Sequence, residues 1–117
     1  MTSEQVKAVC NAQHKMMICD ILISKMPLGY TNNTINEMKR DLDIRVQKEG
    51  YEKQMKELID EIGNAEIIKC FSDKEFMQKE ENRFTFEDQR KATKEVIGKE
   101  YTLEEFIELH APEILNG

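Results

Sequence analysis

The sequence predicts an all-α fold, a single-domain bundle of four to five helices covering residues 1–117. Three observations lead to that class. First, Thr2-Ser3-Glu4-Gln5, Thr34-Ile35-Asn36-Glu37, Ser72-Asp73-Lys74-Glu75 and Thr102-Leu103-Glu104-Glu105 all fit the capping box. In that motif a hydroxyl accepts from a free backbone N–H, and an acid or amide three residues on reaches back to the cap. Thr85-Phe86-Glu87-Asp88 is a weaker relative. Second, stop signals fall between the starts: Pro27 and Gly29, Gly63-Asn64, Asn82, Gly98 and Gly117. Glycine after a helix supplies the left-handed residue that closes it. Third, the chain is 39% hydrophobic and 34% charged, with apolar residues at helical spacing. That is too apolar for a disordered chain.

The first predicted helix runs from about Ser3 to Lys25, with Val6, Val9, Cys10, Gln13, Met16, Met17, Asp20, Ile21 and Ser24 on one stripe. From Met16 to Ile23 nearly every residue is apolar. A helix apolar all round is buried all round, so this half is expected at the centre of the core or beneath a second subunit. Pro27 ends the helix, because the residue before proline leaves the helical region. Leu28 to Asn33 reads as a turn. A second helix opens at Thr34 and reaches Ile62, packing Ile35, Met38, Leu42 and Val46 in its first half. Tyr51, Met55, Leu58, Ile59 and Ile62 serve the second half. Gln47-Lys48-Glu49-Gly50 interrupts the seam, so a bend or break is expected near Gly50. Unbroken, the helix would be about 42 Å long, which itself calls for a bend or a partner.

Residues 65–71 fit a short helix or a buried extended connection, and helix is favoured because a lone strand has nothing to pair with. The Ser72 helix carries Phe76 and Met77. The Thr85 helix carries Phe86, Ala92, Val96 and Ile97. The Thr102 helix carries Leu103, Phe106, Ile107 and His110 and stops at Ala111-Pro112.

Charge narrows the function. The net charge is −6. Residues 1–36 carry +1, 37–71 carry −2, 72–98 carry −1 and 99–117 carry −4. Nucleic-acid binding needs a basic face to displace counterions. The best basic patch is the Arg83–Lys94 stretch, at +2, with Arg83, Arg90, Lys91 and Lys94 against Glu87 and Asp88. A solvated helix face is the plainer reading of it. No signal peptide or membrane-length apolar run is read, and three cysteines make no disulfide framework, so a reducing cytoplasm is expected.

Chemistry-bearing constellations are few. Cys10 and His14 stand at i and i+4, a spacing that can share a metal, but no second tight pair completes a zinc site. Cys10 as a nucleophile would need an electropositive, partly exposed setting. Glu49-x-x-Glu52 and Glu57-x-x-Asp60 resemble the acid pairs that hold magnesium in some all-α nucleotide pyrophosphohydrolases. Those pairs lie on facing helices, whereas both pairs here lie on one. Interleaved lysines at i+4 make a solvated face the simpler account. Methionine, seven in all, fills irregular cores more often than it builds binding grooves.

The function expected from the sequence is therefore a small acidic cytoplasmic protein-interaction module: an adaptor, a regulator or an inhibitor from a phage or mobile element. The chain leans away from enzymes, and no catalytic residue, metal or cofactor is assigned. Its partner is expected to be another protein with a basic surface, met by Glu100, Glu104, Glu105, Glu108 and Glu113, together with self-association as a homodimer. Two alternatives stand beside it. One is a nucleic-acid-binding regulator using Arg83–Lys94. The other is a metal-dependent all-α enzyme using Glu49, Glu52, Glu57 and Asp60.

Overall fold

A computed structural model describes residues 1–24, 35–100 and 102. Among them the chain forms only helices: α1 (Ser3–Ser24), α2 (Ile35–Ile62), α3 (Asn64–Ser72), α4 (Lys74–Gln78), a single 3-10 turn (Glu80–Asn82) and α5 (Phe86–Glu100). None is long and apolar enough to cross a membrane. The predicted Pro27 stop, the turn at 28–33, the Thr34 cap and the Thr102 helix lie outside the described residues.

Two caps close as their sequences require. Thr2 N–H donates to Gln5 Oε1 at 2.9 Å while Gln5 N–H donates to Thr2 Oγ1 at 3.1 Å. Thr85 and Asp88 make the same reciprocal pair at 3.0 and 3.1 Å, so aspartate completes this box as glutamine completes the first. The Ser72 box is displaced by one residue. Ser72 ends α3, and Asp73 caps α4 by accepting from Phe76 N–H at 3.2 Å. Gly63 stands at φ +97° between α2 and α3, a conformation that side chains rarely adopt, and its N–H closes α2 on Ile59 O at 2.8 Å. Residues 65–71 are helical within α3. Gly98 does not stop α5, which continues to Glu100.

Helix α1 is central. Its partners along α5 rise in number together: Lys7 with Asp88, His14 with Thr93, Lys15 with Glu95. Those two helices therefore run parallel. Against α2 the numbers run oppositely, since Asp20 pairs with Lys48 while Lys15 lies over Tyr51, so α1 and α2 are antiparallel. One buried cluster joins all three helices through Ile18, Cys19 and Leu22 of α1, Ile44 and Tyr51 of α2, and Val96 and Ile97 of α5.

The buried line on α1 differs from the expected stripe. Val6, Val9, Ala12, Lys15, Ile18, Cys19 and Leu22 are buried, whereas Gln13, Met17 and Asp20 are exposed. Steps of three fall about 60° short of a turn at roughly 100° per residue. The buried side thus winds around α1, as it must in a helix with a neighbour on two sides. The half from Met16 to Ile23 is not buried all round: α2 and α5 of the same chain cover it, and Met17 stays 47% exposed.

On α2, Leu42 and Val46 are not core residues; they are 62% and 58% exposed. The seam runs instead through Ile44, Gln47, Lys48 and Tyr51. Its polar middle is partly paired in place, with Gln47 Nε2 buried without a hydrogen-bond partner. Lys48 pairs with Asp20 across the seam and with Glu52 on its own helix at 3.7 Å, and Tyr51 Oη donates to Gln47 Oε1 at 3.3 Å. The helix is consequently continuous through Gly50 and does not break into two. A Cβ added at Gly50 meets nothing within 4 Å. Gly50→Ala should therefore stabilise the fold by about 0.5–1 kcal/mol, through lost unfolded-state entropy. Urea unfolding checks this: a lower midpoint would mean that α2 needs glycine's freedom there.

Candidate functional site

The sequence-flagged basic stretch becomes one wall of a cleft. A pocket of about 590 Å³ is lined by His14 of α1 and by Phe86, Glu87, Gln89, Arg90, Lys91, Thr93 and Lys94 of α5. Phe86, Arg90 and Lys94 stand four residues apart, so successive turns of α5 stack them on one side. Phe86 was expected in the core. It is instead 74% exposed, the most exposed of the large hydrophobics among the described residues. Phe84 takes the place against α1, its ring lying edge-on to His14 with centroids 5.9 Å apart.

The floor of the cleft is a hydrogen-bonded relay. Thr93 Oγ1 donates to the Gln89 carbonyl at 2.9 Å. Its lone pairs are thus left to accept from His14 Nε2–H, 2.8 Å away. This fixes the imidazole tautomer and ties α1 to α5. Burial holds the His14 pKa below its usual value, partly opposed by its hydrogen bond to the Gln89 backbone. Lys91 pairs with Glu87 at 3.6 Å, but Arg90 and Lys94 have no acidic partner within ion-pair distance among the described residues. The cleft thus combines an exposed ring with two uncommitted cations.

The His14 shift has a consequence for stability. The unfolded state binds the proton at higher pH than the folded state does. Stability supplied by neutral His14 is therefore complete above the ordinary histidine pKa of about 6.5 and is lost as pH falls through it toward the lowered folded value. The urea midpoint should fall between pH 7.5 and pH 5.5, and His14→Gln should flatten that fall. An unaltered slope in the variant would assign it to another group. Asp88, held low first by the Thr85 backbone N–H, titrates in a more acidic window.

The other sequence-predicted sites are dispersed. Cys10 and His14 do not form a metal pair with further ligands, and no group of three or more potential ligands occurs among the described residues. Cys10 is half-buried, with its thiol pKa pushed up by burial, opposite to what a nucleophile requires. Glu49, Glu52, Glu57 and Asp60 are all exposed along α2, and Glu52 is engaged by Lys48. Glu100 is the last residue of α5, while Glu104, Glu105, Glu108 and Glu113 lie outside the described residues. Sequence reasoning missed His14 as the cleft floor, because its partner Thr93 is 79 positions away. No protein family, characterised protein or solved structure matches this chain.

Proposed function

We propose that the protein is a macromolecular binding module that acts on another protein, and that the α5 cleft is its contact surface. The observation that carries the reading is the exposed Phe86 aligned with the unpaired Arg90 and Lys94. Aromatic and arginine side chains supply most interface energy when a partner desolvates them. The surface residues that could instead have supported an enzyme, Glu49, Glu52, Glu57 and Asp60, line up along a single helix and converge on no common point. A pull-down from the native host, with wild-type protein beside an Arg90→Glu/Lys94→Glu variant, tests the proposal. A partner retained by the first and lost by the second is expected. A partner held equally by both would move the contact elsewhere.

A second surface has its own support in the charge of −4 over residues 99–117. A partner with a basic face would be steered there, and steering raises association rate more than affinity. Glu105→Lys/Glu108→Lys should then slow capture at low salt while leaving the fold unchanged. Self-association would draw on the exposed pair Leu42 and Val46 of α2. Light scattering decides it against the monomer mass of 13.7 kDa.

A further inference from the structure

We infer that the occupant of the α5 cleft is an acidic protein segment carrying an apolar side chain, its carboxylates on Arg90 and Lys94 and its apolar group on Phe86. The inference rests on the proposed contact surface and adds the chemistry of what fills it. Charge complementarity is the argument. Arg90 and Lys94 face one cleft without an acidic partner among the described residues, in a chain whose net charge is −6. Lys7, Lys15, Lys48 and Lys91 each pair with an acid of the same chain. These two do not. Guanidinium binds carboxylate through two parallel hydrogen bonds, so Arg90 sets direction as well as charge. Phe86, one turn away and 74% exposed, offers the apolar contact that free ions do not use.

Nucleic acid fits the same cleft less well. A bound strand continues past any one site, and each neutralised phosphate needs its own cation. Beside Arg90 and Lys94 the cleft holds Lys91, which is paired with Glu87, and past it on α5 stand Asp88 and Glu95. A strand leaving the cleft would meet those carboxylates. A short acidic segment ends before it reaches them.

The test uses the full chain labelled with nitrogen-15 and three probes. The first is a peptide of about twelve residues alternating glutamate and leucine. The second replaces each glutamate with glutamine, and the third is a thymidine oligonucleotide of similar length. The glutamate peptide should shift the amides of Phe86 to Lys94 and of His14. Its affinity should fall about tenfold in Arg90→Glu/Lys94→Glu and also with the glutamine peptide, since each change removes the charge pairing. Phe86→Ser should weaken it separately. Lys74→Glu/Lys79→Glu, which has the same charge change away from the cleft, should bind as wild type; loss there would reduce the effect to net charge and overturn the inference. No shift at these amides at about 1 mM peptide, or tighter binding of the oligonucleotide at the same residues, also overturns it. Should the host pull-down keep its Arg90- and Lys94-dependent partner while the peptide fails, the contact surface stands and only the acidic segment falls.

Discussion

Leu22→Ala is expected to lower stability by about 3 kcal/mol and the melting temperature by about 10–15 °C. Leu22 is fully buried at the junction of three helices, among Ile18, Cys19, Ile44, Tyr51, Val96 and Ile97. Truncation removes methyl groups from water-free surroundings and leaves a cavity that three separate helices would have to move to fill. Met17→Ala, five positions earlier on the same helix, should change stability by no more than about 0.5 kcal/mol, because Met17 is 47% exposed. Urea unfolding of the two variants reads the orientation of α1 directly. Equal losses would mean that Met17 is covered too.

Lys15→Glu is the second large effect, expected to cost about 3 kcal/mol or more. Lys15 is buried to 6% exposure, with its ammonium 2.8 Å from Glu95 of α5 and 5.4 Å from the centre of the Tyr51 ring of α2. One cation therefore ties the three helices. Reversal sets a carboxylate against Glu95 and against the electron-rich ring face, where a cation is favoured. Lys15→Met keeps the aliphatic stem in the core and removes only the charge. It should remain within about 1 kcal/mol of wild type, since apolar replacement of a buried ion is often neutral. If Lys15→Met proved as damaging as Lys15→Glu, the charge itself would be holding the bundle.

These residues also show how far the sequence could be read. The caps at Thr2 and Thr85 were legible because their chemistry spans three residues. The all-α class followed from such local signals. The face of α1 was not legible. Apolar side chains occur on nearly every side of residues 16–23, so periodicity alone selects no direction. Lys15 then enters the core because Glu95 and Tyr51, eighty and thirty-six positions away, receive it. The seam of α2 misled for the same reason: Gln47 and Lys48 look like a gap until Tyr51 and Asp20 are placed beside them. At the candidate site, Arg83–Lys94 was visible as a basic stretch. Phe86 was counted as core because an apolar residue at the start of an amphipathic helix usually packs inward. Its exposure depends on Phe84 taking the position against His14, which no local pattern encodes.

The most direct test of the account places a photo-crosslinking phenylalanine analogue at position 86 in the full chain, expressed in its host, with a second chain carrying it at exposed Lys74. Irradiation should join the position-86 chain to one defined protein through an acidic segment located by mass spectrometry, and the adduct should disappear with Arg90→Glu/Lys94→Glu. The Lys74 chain should give no such adduct. A defined adduct from position 74 alone, or one at position 86 that survives both charge reversals, would contradict the assignment of the α5 cleft as the binding surface.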